Sequence, residues 1–467
     1  MAELQNRALK GTGSEPGFHQ LTRADLIALA SGKFTGSLIG RLRTAELSKN
    51  VLLLEAVRRE AVRSGSDEII AIIDSAREVL RVAQISQPGI VARLFALPHF
   101  GLWVVECLMR LKNRTEQPGA ADIGHLAAFA AVAALRTRQQ CHLRLPVRDG
   151  VVYLPTLGRI TVPSGSGLSW ADFFSDGHGA TVVSGAWKMP LPAGSPSGRN
   201  WMPAYSVTAR SQGLEIRLSL EDSDPFLSQL APSPCPISPG LAQEWQQRLT
   251  ETWELLTRYH RDVALGLAGT LTAIIPSSEL ERGQPVTATS GWAWGSVLLS
   301  LPPDKLSFAE ALTHEFHHLV LAAVEDITTL IGVAHDDLCY APWRDDPRPR
   351  SALLQGSYAF FGVAEFWLRQ SHAGVCVSRQ KAQAEFARRS ENVADALSEL
   401  RGWTGLTAAG HLFVGQMADQ LAGLLAEPVD PPARAMARQV NSEHRAQWLR
   451  ANGGTVAGSS TMPTAKR

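Results

Sequence analysis

The run Thr313-His314-Glu315-Phe316-His317-His318-Leu319 sets two histidines four residues apart, with a glutamate directly after the first. On a helix, positions i and i+4 lie one turn apart on one face, so His314 and His318 can hold one divalent metal with little backbone strain. Glu315 can then reach a water on that metal as a general base. The pattern fixes only three positions and arises often by chance. Here it is embedded among Phe316, Leu319, Val320 and Ala323, and such a buried face does not take in charged and imidazole groups without compensation. His317 points to a different face and is expected in a supporting or surface role.

Zinc peptidases complete this motif with a third ligand. One class places a histidine six residues past the second, but Val324 stands there. The other class takes a glutamate from a later helix, and Glu365 is in range; Glu325 lies too far along the motif helix itself. The following segment, Tyr340-Ala341-Pro342-Trp343-Arg344-Asp345-Asp346-Pro347-Arg348-Pro349, is stiffened by three prolines and carries two arginines four apart. Planar guanidinium forks suit a carboxylate ligand. The competing explanation is internal: Arg344, Asp345, Asp346 and Arg348 pair with one another and lock the loop.

Trp294–Leu301, Ala309–His318, Tyr340–Pro349 and Leu353–Trp367, with its Gln355-Gly356-Ser357-Tyr358 run, together resemble the HExxH-motif peptide-modification proteins that accompany ribosomally made, modified peptides. The similarity is strong over 291–369 and weaker at Val152–Gly158. It implies an iron(II)- and 2-oxoglutarate-dependent β-hydroxylase, in which dioxygen and 2-oxoglutarate are consumed to hydroxylate a side-chain Cβ of a precursor peptide. His314 and His318 would hold the iron, with Gln355, Asp345 or Glu365 as third ligand. Arg344 or Arg348 would take the far carboxylate of 2-oxoglutarate, with Tyr340 and Trp343 beside it. Glu315 would be a neighbour of the metal or manage a proton. Two alternatives remain open: a zinc metallopeptidase using His314, His318, Glu365 and Glu315, and a non-catalytic partner that binds a peptide by strand addition.

These residues need elements to position them. Apolar spacing of three and four predicts helices through 21–138, starting near Thr22 and Asp25. Alternating and β-branched runs with turn signals at Asp149-Gly150 and Gly158 predict a β-rich segment from His142 to about Asp224. Ser233–Gly240, with three prolines, reads as a linker. A helix is expected over Leu241–Ala264 and strands over Leu271–Ile275 and Ser296–Leu301. Asp304 caps the motif helix, Leu306–Ile331. Four helices follow: Ser351–Arg369, Ser378–Leu400, Thr407–Leu425 and Pro431–Asn452. The expected class is therefore α+β, mainly helical, with a central β-rich segment and a C-terminal helical metal-binding domain of zincin-like motif. The regions are 1–141 helical, 142–232 β-rich, 233–452 catalytic and 453–467 a disordered tail; Met1–Glu15 is also expected to fray.

With 45 Lys+Arg against 44 Asp+Glu, the chain offers no overall electrostatic case for nucleic acid or an anionic membrane. Leu94–Met109 is broken by Pro98, His99 and Glu106, and His125–Leu135 is too short to span a bilayer. The five scattered cysteines form no CxxC pair, which fits a reducing cytoplasm better than a disulfide framework.

Overall fold

The computed structural model describes residues 19–64, 67–112, 120–163, 168–191, 200–230, 235–278, 280–281, 284–332 and 338–456. The expected fraying of Met1–Glu15 lies outside them, as does all of the expected tail beyond Val456.

Six helices open the chain: α1 (Arg23–Ala30), α2 (Gly36–Ser64), α3 (Asp67–Ser86), α4 (Pro88–Phe95), α5 (Pro98–Lys112) and α6 (Ala120–Thr137). Thr22 and Asp25 close a reciprocal capping box at the start of α1, the signature their spacing predicts. A seven-stranded antiparallel sheet follows, built from β1 (Gln140–Arg148), β2 (Val151–Leu154), β3 (Gly158–Thr161), β4 (Leu168–Asp176), β5 (Ala180–Ser184), β6 (Trp187–Leu191) and β7 (Trp201–Pro203). Its order is β6-β5-β4-β1-β2-β3-β7, and it is curled.

A second sheet joins β8 (Tyr205–Ser211), β9 (Leu214–Leu220), β10 (Ala273–Ser277), β13 (Thr287–Ala288) and β14 (Ser296–Ser300) in the order β13-β14-β10-β9-β8. Between β10 and β13 lies a small hairpin of β11 (Leu280–Glu281) and β12 (Gln284–Pro285). Strands β9, β10 and β14 run parallel. Every residue of β10 and β14 is buried, so these strands read as continuous apolar runs without alternation. The helices α7 (Pro239–Tyr259) and α8 (Arg261–Thr270) form the connection from β9 to β10. The single helix expected over Leu241–Ala264 is thus two. The break falls at His260, whose φ of −134° and ψ of 47° leave the helical region. Its buried ring is held by Gln370 Nε2 at 2.7 Å, a tertiary contact invisible to local periodicity.

The remainder is helical: α9 (Lys305–Ile327), α10 (Arg350–Ala373), α11 (Arg379–Arg401), α12 (Ala408–Leu425) and α13 (Pro431–Val456), with a short β15 (Leu338–Cys339)–β16 (Arg348–Pro349) pair before α10. Asp304 caps α9 through the amides of Leu306 and Ser307.

Two hydrophobic cores result, and they do not follow chain order. The first gathers α1 and the beginning of α2 with α7 to α12 and one face of the five-stranded sheet. The second gathers the rest of α2, α3 to α6, the curled sheet, and the opposite face through Ile275 and Leu298. Ile274 and Ile275 therefore point into different cores. The molecule is a mainly helical α+β protein. Among the described residues no single helix is long and apolar enough to cross a membrane. The pair α4–α5 meets length and composition only together, across a 63° bend, and its buried residues belong to the second core.

Candidate metal centre

Helix α9 presents His314, Glu315 and His318 to a cavity of about 550 Å3. Its other walls are β13 and Thr289, the loop residues Trp343, Arg344 and Arg348, and Ala352, Gln355, Gly356 and Phe360 of α10. Helix α10 can come this close because it is small at two contacts. A Cβ at Gly356 would lie 2.5 Å from the Trp343 indole, and one at Gly362 would lie 2.1 Å from the His317 ring.

The two imidazole Nε2 atoms are 3.2 Å apart. Nitrogens bound to one metal at about 2.1 Å, subtending a right or tetrahedral angle, sit about 3.0–3.4 Å apart. The pair therefore fits a shared metal as it stands. Gln355 Oε1 is 3.3 Å from His318 Nδ1. An amide oxygen only accepts, so Nδ1 is the donor in this contact and Nε2 is the ring nitrogen turned toward the cavity. Gln355 in turn donates through Nε2 to Glu325, whose carboxyl burial pushes up. Burial, reinforced by His318, Arg389 and His317, drives the pKa of His314 well below the ordinary value, leaving a neutral ring with a lone pair to give.

Glu315 is buried, and burial pushes its carboxyl up. The hydroxyls of Thr287 and Thr289 hydrogen-bond it, while Oε2 has no protein partner. His317 does point to another face, but it is not at the surface. It is 1% exposed, donates from Nδ1 to Thr313 O at 2.8 Å, and packs edge-on against Phe34 and Tyr358.

The loop neither fully locks itself nor leaves its arginines free. Asp346 is held by Arg344 Nε at 3.1 Å and has Arg348 Nε at 3.0 Å, so one carboxylate faces two guanidinium groups. Asp345 also lies 3.6 Å from His444. Tyr340 does not line the cavity: its hydroxyl meets His444 Nδ1 at 2.8 Å and its ring packs on Trp448 of α13. Of the three third-ligand candidates, Gln355 alone reaches the cavity. Glu365 is tied to Arg369 at 2.5 Å on the far side of α10, near Gly32. Among the described residues, no group of three or more His, Cys, Asp or Glu is arranged to hold a metal ion.

Sequence reasoning missed Thr287, Thr289, Phe360 and Arg389, and it set aside Glu325, which meets the site through Gln355. Arg389 of α11 reaches the opposite rim, 4.8 Å above the Phe360 ring and 3.4 Å from Glu310, and lines an adjoining space with His314. Thr287, Thr289, Phe360 and Arg389 carry no spacing signal, because each meets the motif only through the fold, whereas Glu325 stands two turns after His318 on the motif helix itself.

No protein-family model matches the chain, and no curated protein matches it in sequence.

Proposed function

We propose that this protein is an iron(II)- and 2-oxoglutarate-dependent hydroxylase that modifies side chains of a ribosomally made precursor peptide. The observation that carries the reading is the pair of imidazole nitrogens 3.2 Å apart, facing a cavity that Arg344 and Arg348 also line. A site with two protein nitrogens leaves several positions open, as a metal that must take a chelating co-substrate and dioxygen requires. Bound there, iron(II) would supply the activation of dioxygen.

The chain's own residues have separable roles. His314 and His318 give the two nitrogens. Gln355, backed by Glu325, fixes the His318 ring and its tautomer. Arg344 and Arg348 both face Asp346 and both line the cavity, so they are the candidates to take the distal carboxylate of 2-oxoglutarate. Trp343 and Phe360, their rings 4.8 Å apart, form an apolar wall that limits water. Glu315 holds a carboxyl beside the metal position, braced by two threonines. Five unpaired cysteines accord with a reducing, cytoplasmic setting.

The free Oε2 of Glu315 favours one second reading, a zinc peptidase in which this carboxylate activates water. Against it, Glu365 is turned away from the site. Mass spectrometry of the precursor peptide after incubation with protein, iron(II) and 2-oxoglutarate decides. Hydroxylation adds one oxygen mass to an intact backbone, with succinate in proportion and inhibition by zinc. Zinc-dependent fragments with no added oxygen would instead establish the peptidase.

A further inference from the structure

A second cleft, of about 810 Å3, shares no residue with the histidine cavity. It opens where the end of α6, the β4–β5 hairpin and the β7–β8 connection meet. Its size is at the upper end of the range of ligand pockets. Arg136, Arg138 and Arg217 line it together with His178, and no Asp or Glu does among the described residues. In a chain with 45 basic and 44 acidic residues, so one-sided a lining is a local feature and not an average.

Among the described residues, the guanidinium groups of Arg136 and Arg217 hydrogen-bond neutral hydroxyls. Arg136 Nη2 donates to Thr156 Oγ1 at 2.6 Å, and Arg217 Nη2 lies 3.4 Å from Ser206 Oγ. Burial, with Arg93 close by, lowers the pKa of Arg136, as expected where like charges gather. The C-terminal dipole of α6 explains one of these arginines. It does not explain Arg217, which arrives from β9.

The cleft is also bordered by strand edges. Strands β6 and β7 are the two ends of the curled sheet, and Leu191 of one and Trp201 and Pro203 of the other line the same space. Strand β8, the edge of the second sheet, contributes Tyr205 and Ser206. Edge strands present backbone groups that a further extended chain can pair. Leu97, Leu157 and Leu191 add apolar surface between the charges.

We propose that this cleft binds an acidic, extended peptide segment, with Arg136, Arg138 and Arg217 taking its carboxylates and the strand edges taking its backbone. The inference rests on the reading that the protein acts on a peptide. It assigns recognition to a place separate from the histidines. A substrate could then be held by one segment while another is presented to the metal.

The test uses the full chain and a fluorescein-labelled synthetic peptide alternating Glu and Leu, followed by anisotropy. Binding is expected to weaken with salt and to fall about tenfold for each arginine replaced, as loss of a charge-assisted contact implies. The Arg136→Glu/Arg217→Glu double variant is read beside Arg136→Lys/Arg217→Lys, which keeps the charge and should retain part of the affinity. Circular dichroism and melting confirm the fold of each. The His314→Ala variant should bind the probe unchanged. Equal binding by the Glu double variant overturns the proposal. So does binding at least as tight of a Lys-for-Glu peptide, an oligothymidylate or inorganic phosphate. Failure of the wild-type chain to bind the Glu–Leu probe overturns it too, while leaving the metal reading to stand on iron uptake measured separately.

Discussion

His314 and His318 were legible because a helix converts a spacing of four into adjacency, and that rule needs no tertiary knowledge. Replacing either by Ala should abolish most iron uptake, since one imidazole cannot hold a labile divalent ion tightly; full occupancy in both variants would remove the assignment. Gln355→Ala should do less, weakening metal affinity about 10–100-fold, because the amide orients the His318 ring. Metal titration separates the two cases. The arginine pair makes a different kind of demand. Arg344→Lys and Arg348→Lys should each raise the 2-oxoglutarate concentration needed for half-saturation, as an ammonium cannot reproduce a bidentate fork. If both variants keep the wild-type concentration dependence, the carboxylate is held elsewhere. Thr287 and Thr289 could not have been found this way. They brace Glu315 from β13 and the residue just after it, where the pairing of β13 with β14 sets their place, and nothing in the local sequence announces it.

At the scale of elements, the motif helix and those after it were readable from apolar period and caps, including Asp304. What could not be read was how closely α9 and α10 approach. That closeness depends on glycines whose neighbours are remote in sequence. Gly362 faces the His317 ring, and Gly356 faces the Trp343 indole. A methyl group at Gly362 must displace a fully buried imidazole already bonded to Thr313 O, so Gly362→Ala should destabilise the fold by about 1–3 kcal/mol, the cost of overpacking a filled core. Thermal melting reads it, and an unchanged midpoint would show that the two helices can separate freely. Of the two roles expected for His317, supporting or at the surface, the surface one fails for the same reason: its face of the helix meets α10 and Phe34, not solvent.

For the whole molecule, the unforeseen feature is a buried charged cluster where the two cores meet. His99 of α5 lies 3.0 Å from Glu221, which also accepts from Tyr153 of β2 at 2.9 Å. His125 of α6 stacks on the same tyrosine ring and lies 3.6 Å from Asp224, whose other oxygen accepts from the amides of Phe226 and Leu227. Sequence reading placed helices here and no more, since a lone histidine in an apolar run names no partner; both carboxylates arrive from just after β9. Burial alone would lower His99, but the Glu221 carboxylate outweighs it and holds the ring above its usual value. Burial lowers His125. Burial opposes the charged forms of Glu221 and Asp224, yet His99 and His125 respectively bring both below the usual carboxylate range. The signs then follow by linkage. The carboxylates contribute stability that is present above roughly pH 4, their unfolded range, and lost as pH falls through their lower folded values. His99 contributes fully below its unfolded value near roughly 6.5, and that part is lost as pH rises through its raised folded value. His125 acts oppositely, because the unfolded ring takes up a proton below roughly pH 6.5 that the folded ring resists. Stability to urea should therefore fall on both sides of near-neutral pH. His99→Gln should flatten the alkaline limb above roughly pH 6.5, and His125→Gln the acid limb between roughly pH 6.5 and 4. An alkaline limb that survives His99→Gln unchanged would mean that the cluster does not couple the two cores to pH.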